Sequence, residues 1–157
     1  LGLVINKPID IKLKNLFEKV ELPLDRAELA EQPVFFGGPV QTERGFVLHE
    51  RVQAEGEQGS PYSSTLVIAG APLDMTTSKD VLEALADGSG PKKLLVTLGY
   101  SGWRAGQLED ELSRNGWLTV GADPAIIFDT PIQERYERAV SLLGIDPRML
   151  SQEAGHA

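Results

Sequence analysis

The sequence predicts an α+β fold in which peripheral helices surround a mixed, mostly antiparallel sheet. Strand-like apolar runs and amphipathic helical runs are interspersed, without the strict alternation of a doubly wound α/β protein. Several connections between successive strand-like runs are too short to hold a crossover helix, which favours antiparallel pairing. The 157 residues suit a single domain with a sizeable core, so we expect one domain over residues 1–157.

The first fifty residues predict three strands and one helix. The apolar run at 2–6 predicts a short buried strand that Pro8 stops. One helical face is shared by four apolar side chains, which predicts a helix that ends before Pro23: Leu13, Leu16, Phe17 and Val20. The runs at 33–36 and 45–50 predict two strands, separated by Gly37-Gly38-Pro39.

The middle of the chain predicts strands at 65–69 and 94–98. Between them, Thr77 and Asp80 precede a helical stripe and resemble a capping box. The polar, glycine-rich stretch at 51–63 is expected to be a mobile surface loop inside the domain, because the piece before it is marginal as an independent core.

The last third predicts a helix over 107–114 and extended runs at 117–120 and 125–128. Thr130-Pro131 then has the residues of a helix start. The buried face of that helix is expected to hold Ile132, Tyr136, Ala139, Val140 and Leu143. Asp146-Pro147 predicts a final short turn of helix.

Composition limits the function. The chain has no cysteine, which excludes disulfides and thiolate metal sites. Its net charge of −8, with Lys92-Lys93 as the only adjacent basic pair, argues against binding to nucleic acid or to an anionic membrane. We find no membrane-spanning run and no signal peptide, so we expect a cytoplasmic protein. Leu1 is not a natural start, and we expect further N-terminal sequence.

The loop at 99–106 follows a strand and precedes a helix, where phosphates or nucleophiles are often held. Its glycine spacing matches neither phosphate-binding fingerprint, and the carboxylates at 109–111 would repel a phosphate. Ser101 lies near the position of a hydrolase nucleophile, but the closing glycine of GxSxG is replaced by Trp103. A serine hydrolase would also need Asp129 and His156, which follow Ser101 in the required order. A tight structural corner is the simplest interpretation.

Glycine corners with polar or aromatic neighbours can also form a shallow recognition surface. The candidate ligand- or partner-binding residues are Asn6, Lys7, Gly37, Gly38, Tyr100, Ser101, Gly102, Trp103 and Arg104. His49 is expected to be a satisfied strand residue, and two distant histidines give no metal-site spacing. The hydroxyls at 76–78 are better explained by helix capping than by an anion site. No cofactor, metal ion or catalytic set is predicted.

Nine short motifs occur together and in order: GLVINKP (2–8), FFGGPV (35–40), GFVLH (45–49), TTSKDVLEAL (76–85), LGYSGWRAGQLEDEL (98–112), WL (117–118), IFDTP (127–131), LLGID (142–146) and LS with AGHA (150–157). In this combination the chain resembles the bacterial YqgE/AlgH family over essentially its whole length. The resemblance implies a compact α+β domain with a partly barrel-like sheet, in a cytosolic protein. It implies no established activity, although some members are labelled transcriptional regulators.

These observations favour a non-enzymatic binding or regulatory module that acts through a protein partner or a small anionic ligand. One alternative is a hydrolase that uses Ser101 or a carboxylate. Another is a transcriptional regulator, for which the net charge disfavours direct contact with DNA. The sequence does not identify the ligand or the oligomeric state.

Overall fold

The computed structural model describes residues 1–52 and 59–145. Within these ranges six strands form one open sheet, in the order β1-β2-β6-β3-β5-β4. The strands are β1 (Pro8–Lys12), β2 (Pro33–Phe36), β3 (Val40–Glu50), β4 (Thr65–Val67), β5 (Leu73–Thr76) and β6 (Leu94–Tyr100). Only β2 and β6 pair in parallel, and the other four pairings are antiparallel. The predicted α+β class and mostly antiparallel sheet are confirmed.

Three helices cover one face of the sheet: α1 (Leu13–Lys19), α2 (Ala27–Ala30) and α3 (Asp80–Ala86). Two more follow later in the chain, α4 (Gln107–Ser113) and α5 (Arg135–Ser141), and Arg135 of α5 lies over Phe35 on the opposite face. Leu13 and Phe17 of α1 are 1% exposed and pack with Val81 and Leu85 of α3. The predicted helical spacing of α1 is therefore confirmed. No described helix is both long and apolar enough to span a membrane.

The opposite face of the sheet is covered without a long helix. Phe35, Leu48 and Leu95 pack there against Ile127, which lies in a π-helical turn at Ala125–Asp129. This turn corrects the predicted extended run at 125–128. The hydroxyl of Thr130 donates to the carbonyl of Ala125 at 3.0 Å and closes the turn. The other predicted run, 117–120, is exposed and pairs with no described strand.

The first residues differ from the prediction. Residues 2–6 make only isolated backbone contacts, and the first strand begins at Pro8. Proline is compatible with the first position of an edge strand, where its missing N–H breaks no ladder bond. Pro8 therefore starts a strand that we expected it to stop.

Two predicted helix starts were also displaced. The capping box at Thr77 is wrong, because α3 begins at Asp80, whose carboxylate accepts from Ser63 and Ser78. The sequence also gave no indication of β5, which ends at Thr76. After Pro131, one 3₁₀ turn (Ile132–Glu134) precedes α5. That tighter turn rotates the helix, so Tyr136 is 55% exposed and Arg135 is buried instead.

Two glycine segments cross at the centre of the fold. A β-carbon added to Gly37 would lie 2.3 Å from the carbonyl oxygen of Gly99. One added to Gly38 would lie 2.1 Å from the carbonyl carbon of Tyr100, and one added to Gly99 would lie 2.3 Å from the oxygen of Gly38. Backbone atoms leave no room for any side chain at this crossing, which brings the ends of β2 and β6 into contact.

We predict that Gly37→Ala destabilises the protein by at least about 3 kcal/mol, because its methyl group must displace backbone rather than a side chain. Gly45→Ala is the matched control, since a β-carbon there meets nothing within 4 Å, and we expect a change within about 0.5 kcal/mol. Urea denaturation of both variants measures the difference. Equal stabilities of the two variants would contradict a close-packed crossing.

Candidate functional site

The structure brings three of the predicted site segments together. The N–H of Gly2 donates to the carbonyl of Ser101, and the N–H of Ser101 donates to the carbonyl of Gly2, both at 2.8 Å. Two residues later, the N–H of Val4 donates to Gly37 at 2.9 Å. The N-terminal segment, the glycine pair and the loop after β6 therefore form one corner of the molecule.

Gly37 and Gly38 are closely packed. Both are buried, and their open sides face the backbone of residues 99–101. The N–H of Gly37 donates to the carbonyl of Leu98, and the carbonyl of Gly37 accepts from the N–H of Val4. Contact between these two glycines and a ligand stays a prediction.

The loop at 99–106 is a structural corner for most of its length. Tyr100 packs edge-on against Phe46, with ring centroids 5.5 Å apart. The backbone N–H of Arg104 donates to the side-chain oxygen of Gln107 at 3.0 Å, which sets the start of α4. Within this loop, Gly102 and residues 104–106 are exposed.

Trp103 is fixed by a carboxylate on α4. The indole N–H groups of Trp103 and Trp117 both donate to Oε2 of Glu111, at 3.1 and 2.7 Å, and Gln107 donates to Oε1 at 3.0 Å. The two indoles meet edge-on at 5.9 Å, and Trp103 lies against Gly2. These hydrogen bonds, with that from Trp117 the largest contribution, lower the pKa of Glu111. Trp103 therefore anchors the loop to the N-terminal segment.

Ser101 has no activating base among the described residues. His49, the only histidine in the described ranges, uses one ring nitrogen on the carbonyl of Glu50 and the other on the hydroxyl of Thr76. Asp129 pairs with Lys93. His156 lies outside the described residues, as does the predicted turn at Asp146-Pro147. The described geometry assembles no serine triad.

Arg135 is the most unusual charged residue of this corner, and the sequence did not single it out. Its side chain is buried, with the residue only 6% exposed. Nε donates to the carbonyl of Thr130 at 3.2 Å, Nη1 donates to the carbonyl of Ile5, and the guanidinium lies 5.2 Å from the ring centroid of Phe35. Arg135 thus ties the N-terminal segment to the C-terminal third of the chain.

The charge of Arg135 has no anionic partner in the described ranges. None of the ion pairs among residues 1–52 and 59–145 includes it. Its Nη2 has no side-chain or backbone acceptor among the described residues. Burial lowers the pKa of Arg135, which remains charged at neutral pH.

Two predicted site residues directly follow the residue whose carbonyl this guanidinium binds. Asn6 and Lys7 directly follow Ile5, whose carbonyl Arg135 holds, and both are exposed. The carbonyl of Lys7 accepts from the N–H of Phe36 at 2.8 Å, which fixes the backbone at this point. We call Asn6, Lys7 and Arg135 the anion corner. In the described part of the chain, no His, Asp or Glu cluster suited to a metal ion occurs.

A separate apolar groove lies on the same face of the sheet. Its volume is about 440 Å³, and its walls include Leu3 and Ile5 on one side and Leu66 and Val67 on the other. All of its lining residues are apolar or glycine, so it provides no acid, base or nucleophile.

Comparison with known proteins identifies the family. The family model described as AlgH-like matches residues 1–148. The chain belongs to the AlgH-like family. A protein of Variovorax paradoxus named UPF0301 protein is 67% identical over 159 residues, covering all of this chain and 79% of that protein. A UPF0301 protein of Burkholderia ambifaria is 62% identical, with the same coverage.

Solved structures agree with the fold. The solution structure of the AlgH protein from Pseudomonas aeruginosa is 48% identical, has a TM-score of 0.71, and covers 99% of this chain and 78% of that chain. A crystal structure from Corynebacterium diphtheriae shares the fold at 17% identity and a TM-score of 0.60, covering 87% and 68%. The AlgH-like relatives thus extend beyond the matched region.

We predict that tryptophan fluorescence titrates with the protonation of Glu111. Both tryptophans of the chain are bonded to this carboxylate, and its lowered pKa places the midpoint below the ordinary 4.5. The stabilisation it contributes is complete above that ordinary pKa and is lost as pH falls through the lower folded value. Emission should follow one sigmoid in wild type and be flat over this range in Glu111→Gln. If the emission of Glu111→Gln follows the same pH curve as wild type, another group causes the change in fluorescence.

Proposed function

We propose that this AlgH-like chain is a cytoplasmic, non-enzymatic binding or regulatory module that recognises a small anionic ligand at the anion corner. The observation that carries the proposal is the buried guanidinium of Arg135, which has no carboxylate partner among the described residues. Two carbonyls and an aromatic ring orient it, and its Nη2 has no acceptor among the described residues.

The cost of burying this cation supports an anionic ligand. Removing a charge from water costs several kcal/mol even after the protein relaxes, and carbonyl dipoles with a cation–π contact offset only part of that cost. A phosphate or carboxylate oxygen on Nη2 would add a charge-assisted hydrogen bond in a site of low dielectric. Arginine in a fixed orientation is well suited to such groups.

The surroundings of Arg135 favour binding of an anion despite the acidic chain. Lys7 adds a second positive charge beside the carbonyl that Arg135 holds, and Asn6 adds an amide donor. Asp129 is the carboxylate next to Thr130, but Lys93 neutralises it. Glu134 and Glu137 also flank Arg135 in the chain, but both are exposed, where water and salt screen their charge.

The alternatives receive less support from the geometry. A hydrolase using Ser101 needs a base, and the ring nitrogens of His49 are both occupied. Direct DNA binding needs a basic stripe, which the sequence lacks. Arg104 is exposed and can contact a partner, but its surroundings provide no second cation from the described loop.

We predict that inorganic phosphate or sulfate raises the melting temperature at constant ionic strength. At about a hundred times its dissociation constant, the anion adds roughly 2.7 kcal/mol, which is several degrees for this size of domain. Calorimetry should show affinity reduced about tenfold or more in Arg135→Lys, which keeps the charge but loses the oriented N–H groups. Lys7→Gln should reduce it a few-fold.

Two matched variants give the controls. Lys92→Gln removes an exposed lysine elsewhere on the surface, and Arg104→Gln removes the arginine of the glycine loop. Both should bind like wild type. If Arg104→Gln loses anion binding while Lys7→Gln binds like wild type, the binding site lies in the loop at 99–106. No binding at all would reject the proposed function.

A further inference from the structure

A second buried ionisable group lies on the opposite face of the sheet. His49 on β3 is fully buried, between Asp74 of β5 and Leu94 of β6, its partners in register. Its Nδ1 lies 2.7 Å from the carbonyl of Glu50, and a carbonyl can only accept. Nδ1 therefore carries the proton in the neutral ring, and Nε2 accepts from the hydroxyl of Thr76 at 2.8 Å.

A continuous chain of hydroxyls leads from this ring to the surface. Oγ1 of Thr76 lies 2.9 Å from Oγ1 of Thr65, which lies 3.0 Å from Oγ of Ser60. Thr76 is fully buried, whereas Thr65 and Ser60 are half-buried. Since Thr76 donates to His49, Thr65 must donate to Thr76, and Ser60 to Thr65. All three hydroxyl protons then point inward.

The same groups satisfy the opposite polarity. With a proton on Nε2, the ring donates to Thr76 and Thr76 donates to Thr65. Thr65 can then donate outward to the carbonyl of Tyr62, which lies 3.3 Å away, or to Ser60. Every hydroxyl keeps a donor and an acceptor in both arrangements, so a proton can enter by reversing the chain without opening the fold.

We propose that the hydroxyls of Ser60, Thr65 and Thr76 form a proton path that makes the buried His49 a pH-sensitive element of the sheet. The step takes up one proton: water gives a proton to Ser60, each hydroxyl passes its own proton inward, and Nε2 receives the last one. When the chain reverses, the hydroxyl of Thr65 stops donating to Thr76 of β5 and donates instead to the carbonyl of Tyr62 or to Ser60. The hydrogen bonding between the segment at 60–65 and β5 therefore changes.

The charged groups around His49 allow both states. Asp74 is 1% exposed and favours the protonated ring, although Arg51 shares its charge at 3.1 Å. Tyr62 approaches edge-on at 5.7 Å and is neutral, and Leu94 on β6 is apolar. Burial is the largest effect and lowers the pKa of His49, opposed by the Glu50 carbonyl and Asp74. Burial is the largest cause that raises the pKa of Tyr62, and the nearby carboxylates of Asp80 and Asp87 raise it further.

NMR titration of the His49 ring tests the proposal, since the chain has only two histidines to assign. Wild-type His49 should titrate in the folded state with a pKa below the ordinary 6.5. Thr65→Val removes the acceptor that the outward polarity needs, so it should lower this pKa by roughly half to one unit. Thr65→Ser restores the hydroxyl and should restore the wild-type value.

Two further variants separate the path from a local packing effect. Ser60→Ala removes only the outermost hydroxyl and leaves the Tyr62 carbonyl, so it should slow proton exchange while the pKa stays constant. Ser63→Ala removes a hydroxyl of the same segment that bonds to Asp80, and should change neither quantity. A His49 that stays neutral until the protein unfolds would overturn the proposal. So would unchanged pKa values and exchange rates in Thr65→Val and Ser60→Ala.

Discussion

The crossing of Gly37-Gly38 with Gly99 is the constraint on which the rest of the structure depends. Its backbones approach so closely that only hydrogen atoms fit between them. This contact joins the ends of β2 and β6, the parallel pair of a sheet whose other described pairings are antiparallel. It also presents the carbonyl of Gly37 and the backbone of Ser101 to the N-terminal segment, which has no strand of its own there. Glycines that the sequence marks as a possible site therefore place that segment.

Arg135 completes the arrangement from the other side. The glycine crossing holds residues 2–4, and the guanidinium holds the carbonyl of Ile5, so the segment is fixed at both ends. A cation used in this way must stay buried, and its Nη2 has no acceptor among the described residues. In the function proposed above, the same side chain that stabilises the fold also receives the anion. An acidic chain would then bind an anion because orientation and low dielectric at one point outweigh the net charge.

Local pattern was enough for some elements and not for others. The spacing of Leu13 and Phe17 predicted α1, and the apolar runs at 33–36 and 94–98 predicted the central strands, because burial alone specifies them. Asn6 and Lys7 were identified only as polar residues near a predicted strand end. Arg135 was missed because its burial follows from a 3₁₀ turn and from a partner 130 residues away. The periodicity of the sequence predicts neither the 3₁₀ turn nor the contact with Ile5. The π-helical turn at Ala125–Asp129 likewise depends on packing against the sheet.

The most direct test of the central claim is to map the bound anion by amide chemical shifts. In a ¹⁵N-resolved titration with phosphate at fixed ionic strength, the account predicts that the largest saturable shifts fall on the amides of Asn6, Lys7 and Arg135. Their dependence on concentration should give a single dissociation constant. Shifts concentrated at residues 100–104, or small linear shifts spread over the surface, would contradict an anion site built on Arg135.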